Sequence, residues 1–169
     1  MDVLVVDGYN IIGAWDELQR LKERDMAQAR DRLIESMAEY QAYSGYRVIV
    51  VFDAYYVHGI ANKLKAYKVE IIFTKEKETA DECIEKLVKN LKNVQNQVYV
   101  ATSDYAEQST IFGRGALRKS ARELHIELRN IEKEIEERIE THKKIQPQSR
   151  ITLDKDILEK FEKWRRGDA

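Results

Sequence analysis

Asp7, Asp53, Asp81 and Asp104 fall where they could do chemistry together. Asp7 ends an apolar run in Val5-Val6-Asp7-Gly8-Tyr9-Asn10. Asp53 ends another in Val51-Phe52-Asp53-Ala54-Tyr55, and Asp104 follows a third in Ala101-Thr102-Ser103-Asp104. If these runs are parallel strands, all three carboxylates lie at carboxyl ends, the edge where open α/β sheets bind ligands. Asp81 reaches that edge by another route. Thr79-Ala80-Asp81-Glu82 reads as a capping box opening a helix, and a helix that follows a strand starts near the strand's carboxyl end. Asp81, Ile84 and Val88 are spaced i, i+3, i+7, which sets the carboxylate at the margin of the inward stripe.

Like charges gathered at one edge repel and call for compensation. Mg²⁺ or Mn²⁺ supplies it, taking oxygen ligands from a few carboxylates and filling the rest with water. Such an ion activates water and stabilises charge developing on a phosphoryl group. The expected roles are ligation by Asp7 and Asp104, with Asp81 as a further ligand or as the group orienting the attacking water. Asn10 either holds a carboxylate or phosphate oxygen through its amide or caps the first helix. Asp53 either joins the cluster or only orders the loop after its strand. Singly, each aspartate also has a structural use: a turn at Asp7-Gly8, a cap at Asp104, a first-turn charge at Asp81. The shared edge is what favours chemistry.

Other chemistries fit poorly. His58, His125 and His142 are scattered, and the chain has one cysteine, so no zinc spacing and no internal disulfide arises. Cys83 lies in a helical pattern beside Ile84 and Leu87 and reads as a buried thiol. Gly113-Arg114-Gly115 is too short for a phosphate loop, and no nucleophile elbow is present.

The elements that must position the aspartates are apolar runs at 3–6, 48–52, 69–73 and 98–101, nearly continuous as in strands buried on both faces. Helical patterns at 26–43 and 80–91 separate them. This alternation describes a three-layer α/β domain with a central, mainly parallel sheet of four or five strands. Residues 116–144 read as helix, although the alternation at 126–131 could instead make an edge strand. A break is expected at Gln146-Pro147-Gln148-Ser149, followed by an amphipathic helix at 154–166 packing back on a single domain, 1–169.

At 169 residues, with 43% hydrophobic and 35% charged, the chain is long enough to bury a core. Its net charge of −1 argues against coating nucleic acid by bulk electrostatics. Local basic stretches exist: Lys63, Lys65 and Lys68 in one, Arg114, Arg118, Lys119 and Arg122 in another. Each is either a solvated face or a phosphate grip. No run is long and apolar enough for a membrane span or signal-peptide core, which points by default to the cytoplasm.

The ordered set Val5-Val6-Asp7-Gly8-Tyr9-Asn10, Val51-Phe52-Asp53-Ala54-Tyr55, Thr79-Ala80-Asp81 and Ala101-Thr102-Ser103-Asp104 resembles the YacP-type NYN domain, within the PIN-like nuclease group. Phe112-Gly113-Arg114-Gly115-Ala116 and Glu162-Lys163-Trp164-Arg165-Arg166-Gly167 extend the resemblance over essentially the whole chain. It implies a PIN-like fold and metal-dependent cleavage of single-stranded RNA, with Asp7, Asp81 and Asp104 matching the acidic core. Many PIN-like proteins carry another acid one turn beyond the last aspartate, where this chain offers Glu107 and then Gln108. The resemblance further implies ribosome-dependent endoribonucleases that cut messenger RNA in the decoding A site. The basic stretches would then grip RNA or ribosomal phosphates, while Tyr9, Tyr55, Tyr56 and Tyr105 either stack on bases or pack. The rival readings are a non-catalytic RNA- or ribosome-binding module and a metal-dependent phosphatase of small nucleotides. A pure binder gains little from carboxylates that repel phosphate.

Overall fold

A computed structural model describes residues 1–54, 63–66, 68–93 and 95–167, with the side chains at 63–66, 105, 112, 145–159, 161–162 and 164 outside the description. Two compact units result, Met1–Ile131 and Glu132–Ala169. In the first, β1 (Asp2–Asp7) leads into three helices, α1 (Gly8–Ala14), α2 (Asp16–Arg24) and α3 (Met26–Ser44). Then come β2 (Arg47–Phe52), β3 (Lys63–Ala66), β4 (Val69–Phe73), α4 (Ala80–Leu91), β5 (Gln97–Ala101), α5 (Tyr105–Gly113) and β6 (Leu117–Lys119). A long helix, α6 (Ala121–Arg165), follows.

The sheet order is β3-β4-β2-β1-β5-β6. Among the described residues, five strands are parallel and β3 runs antiparallel, against β4. The chain builds outward from β1 through β2 and β4, then crosses back over to β5 and β6. The reversal falls between β1 and β5, where open α/β sheets leave a crevice at the carboxyl edge. Register sets Asp7 beside Val51 of β2 and Val6 beside Ala101 of β5, so the ends of all three strands are level.

Two apolar layers sandwich the sheet because its strands are apolar at consecutive positions. Val3, Val5, Ile49, Val51, Val98 and Val100 pack with Ile84, Val88 and Ile111 of α4 and α5. Their neighbours Leu4, Val6, Val48 and Val50 are fully buried too and, by strand alternation, point to the other face, where α1 and α3 contact the sheet. Gly8 makes the turn from β1 into α1 possible. A β-carbon there would collide with the Phe52 ring and crowd the Val51 carbonyl, so only glycine lets the helix start this close to β2.

Three expectations change. The residues at 126–131 are helical, and the buried set Leu124, Leu128 and Ile131 has helical spacing, whereas Ile126 is 49% exposed. The fifth parallel strand is instead β6. Residues 146–149 continue α6 without a break. One proline removes a single intrahelical bond, and flanks rich in good helix formers carry the helix past it. Finally, β3 is an added edge strand. Among the described residues, no helix is long and apolar enough to cross a membrane.

Candidate metal centre

Strand and helix ends deliver three carboxylates to one point. Asp7 is the last residue of β1 and is 7% exposed. Asp81 sits in the first turn of α4, whose start is fixed by the Thr79 hydroxyl accepting from the Glu82 N–H at 3.2 Å. Glu107 sits in the first turn of α5 and is 4% exposed. One carboxylate oxygen from each lies within 4.8 Å of the others. Asp81 is exposed, so the cluster is open to solvent on its side.

Electrostatics match this crowding. Burial pushes the Glu107 carboxyl up to about 9; the nearby Asp7 charge adds to the rise and the Thr102 hydroxyl partly offsets it. Burial likewise pushes Asp7 up to about 6, with the Asp81 and Asp104 charges adding, and with the facing Glu107 carboxyl and the Asn10 backbone N–H pulling the other way. Asp81 is raised by burial first, then by Asp104, Asp53 and Glu82. One oxygen of Glu107, Oε2, accepts from the Thr102 hydroxyl at 2.8 Å. The other, Oε1, is buried with no hydrogen-bond donor upon it. Two buried carboxylates without a donor between them need a proton or a cation there. An all-oxygen donor set with one buried lone oxygen fits a hard divalent cation, and Asp7, Asp81 and Glu107 could hold one.

The other candidates surround this trio. Asp104 caps α5, its Oδ1 accepting from the N–H groups of Ala106 (3.0 Å) and Glu107 (3.4 Å). Its charge reaches Asp7 and Asp81. Asp53, just beyond β2, is half-buried and its charge reaches Asp81. Asn10 lies inside α1 and does not cap it, and Asp7 stands at the N-cap. The Asn10 amide oxygen accepts from the Ser103 N–H (2.6 Å) and hydroxyl (2.8 Å), clamping α1 to the loop that carries Asp104. The half-buried Tyr9 packs against Phe52 at 5.1 Å, and its hydroxyl accepts from Arg30. Tyr55, Tyr56 and the side chain of Tyr105 lie outside the described residues.

Thr102, fully buried after β5, was not singled out by the sequence, yet it ties the loop together. Its hydroxyl donates to Glu107 and accepts from the Asp104 N–H at 3.1 Å, while its carbonyl accepts from Gln108 Nε2 at 2.7 Å. Thr102→Val keeps the shape and removes the hydroxyl, leaving a buried carboxylate oxygen and an N–H unpaired. Mn²⁺ affinity by titration calorimetry should fall about tenfold to a hundredfold, and Thr102→Ser should restore most of it. Equal affinity in wild type and Thr102→Val would refute this positioning role.

The basic residues divide. Lys63 and Lys65 belong to β3, their side chains outside the description, and Lys68 is an exposed turn residue with φ of 67°. Arg114 pairs with Glu85 at 2.6 Å, Arg118 donates to Gln108 at 3.0 Å, and Arg122 is exposed. Lys119 is turned into the fold, away from solvent. It is 8% exposed, with Nζ 2.9 Å from Glu127 and 3.0 Å from the Tyr40 hydroxyl, over the rings of Tyr40, Tyr46 and Tyr99 at 5.6, 5.6 and 5.2 Å. Cation–π attraction and an ion pair stabilise it inside. Burial, and then the nearby Glu127, raise the Tyr40 hydroxyl pKa.

Comparison with known proteins identifies the family and agrees with the fold. The YacP-like NYN domain family matches residues 4–166. The "Uncharacterized protein YacP" of Bacillus subtilis (strain 168) is 57% identical over 168 residues, covering 99% of both chains. The crystal structure of Rae1 (YacP) from Bacillus subtilis superposes with a TM-score of 0.78 at 57% identity, covering 99% of this chain and 97% of that one. The W164L mutant of that protein superposes with a TM-score of 0.76 at 55% identity.

Proposed function

This chain belongs to the YacP-like NYN domain family, and from that premise we propose that it is a metal-dependent endoribonuclease acting on messenger RNA in the A site of translating ribosomes, in the cytoplasm. The observation that carries the reading is the carboxylate trio, with the lone buried Oε1 of Glu107 turned to no donor. A binding module would gain nothing from such a cluster beside phosphate, and the membership favours a nuclease over a small-nucleotide phosphatase.

Asp7, Asp81 and Glu107 would hold Mg²⁺ or Mn²⁺, with Asp104 at the margin as a further acid. The bound ion supplies charge to activate a water and to offset negative charge on the phosphoryl oxygens. Asp81, the exposed member, would orient the water that attacks phosphorus as the ester P–O bond breaks. Asp104 fixes the helix turn bearing Glu107, and Asn10 holds the loop bearing Asp104. Asp53 adds charge at the edge. Lys63, Lys65, Lys68, Arg114, Arg118 and Arg122 are the proposed contacts to RNA or ribosomal phosphates.

The net charge of −1 supports a presented substrate. A chain this weakly charged gains little from non-specific attraction to free RNA, which favours a strand delivered by another body. The test compares cleavage of one messenger RNA, free and under translation, with EDTA and with Mn²⁺ restored. Cutting is expected only under translation and only with the dication. Equal cutting of free RNA would remove the ribosome from the mechanism; cutting in EDTA would remove the metal.

A further inference from the structure

A cleft of about 590 Å³ opens beside the acidic cluster, within the first compact unit. Its size suits one nucleotide. Segment 102–108 forms a common wall, with Ser103 and Gln108 lining the cleft while Asp104 and Glu107 serve the acidic cluster. The opposite lining comes from the start of α6, whose first turn is capped by the Ser120 hydroxyl accepting from the Glu123 N–H at 3.1 Å.

The cleft is built for an anion. Arg122, His125 and Arg129 are spaced three and four residues apart, so one face of α6 presents all three. The positive end of the α6 dipole adds to them. Arg118 is held in place because Gln108 accepts from its Nη1 and is itself anchored to the Thr102 carbonyl. Arg122 and Arg129 are exposed, and no ion pair or hydrogen bond engages them among the described residues. Of the two acids in the lining, Glu17 pairs with Arg32 at 3.3 Å, leaving Asp16 against three guanidiniums.

The cleft also has features that bare phosphate would not need. The His125 ring packs at 5.1 Å against Trp15, whose indole N–H donates to the Ala121 carbonyl at 2.8 Å, so the imidazole rests on a fixed, buried platform. A half-exposed ring can take a base face, and Asp16 can accept from a base amino group. We infer that this cleft is a nucleotide subsite, in which Arg122 and Arg129 grip a phosphate of the RNA strand adjoining the scissile one and the His125 side takes its base. The subsite fixes how the strand enters the acidic cluster. This inference rests on the nuclease reading for its consequence, but not for its binding test.

That test uses the Asp7→Asn protein, which binds without cutting, with and without Arg122→Ala/Arg129→Ala. Binding of a single-stranded RNA decamer is measured across salt concentrations, and adenosine monophosphate is titrated while the His125 ring resonances are followed. Losing this phosphate grip should weaken decamer binding about tenfold or more and lower the salt slope by about 0.7. The His125 shifts should appear with the intact arginines and vanish without them. Arg122→Gln/Arg129→Gln should behave alike and guards against a folding defect in the alanine pair. Unchanged affinity and slope, no measurable decamer binding at low salt, or displacement of RNA by hexaglutamate as effectively as by an RNA competitor would each overturn the subsite. If wild type fails to cleave translated RNA while the arginine pair still governs binding, the nuclease reading falls and the subsite stands. If Asp7→Asn abolishes cleavage but the arginine pair changes nothing, the subsite falls alone.

Discussion

Asp7→Asn should abolish cleavage and make the protein more stable, both at once. Asp7 is buried at the convergence of three carboxylates, and as an anion it is held there against desolvation and the charges of Asp81 and Asp104. The amide has nearly the same shape and no charge. In the metal-free protein near neutral pH, removing that charge should add on the order of 2 kcal/mol of stability, or about 5 °C in melting temperature. Without the anion the dication loses a ligand, so messenger RNA cleavage should fall at least about a hundredfold. Mn²⁺ should then no longer raise the melting temperature. Melting curves and cleavage of translated RNA provide the two readouts. Normal cleavage by this variant would remove Asp7 from the chemistry, and a large loss of stability would show that its charge is structural.

The second large effect concerns pH. In most proteins native carboxylates are stabilised as anions, and stability is lost in acid. Here Glu107 and Asp7 have raised folded-state values, about 9 and about 6, against ordinary values of 4.5 and 3.8. The folded state therefore binds more protons than the unfolded chain across this interval, and stability must fall as pH rises. The contribution is fully present below about 4, that from Asp7 is lost through about 6, and that from Glu107 is lost through about 9. Urea unfolding in EDTA should show stability declining from pH 5 to 9. A dication replaces the protons, so Mn²⁺ should stabilise more at pH 8 than at pH 6 and release protons on binding. Glu107→Gln should flatten the upper part of the EDTA profile and cancel most of the Mn²⁺ effect. A stability that climbs with pH in EDTA, or a Mn²⁺ increment independent of pH, would contradict the buried trio.

How far the site could be read from sequence follows from which interactions are local. The apolar runs that became β1, β2, β4 and β5 are dense enough to declare themselves, and the residues ending them follow directly. Thr79 and its helix were readable for the same reason, since capping involves residues three apart. β3 and β6 were not, because Lys63-Leu64-Lys65-Ala66 and Leu117-Arg118-Lys119 are short and charged, as edge strands tend to be. Glu107 was visible only as a supporting acid. Once Asp104 commits an oxygen to capping α5, the acid three residues on is the one drawn into the cluster. That spacing, Asp104 to Glu107, is itself a cap signature and could have raised its standing. Lys119 misled because its partners, Tyr40, Tyr46, Tyr99 and Glu127, are brought to it only by the fold.

The interior position of Lys119 bears on how tightly the neighbouring cleft can hold its ligand. Its ammonium ties the end of β6 to Glu127, eight residues on in α6, and Ser120 between them caps the helix. The backbone carrying Arg118, Arg122 and Arg129 is thus already ordered before any strand arrives. What remains to be frozen on binding is side-chain rotamer freedom alone, so little of the attraction between guanidinium and phosphate is spent on entropy.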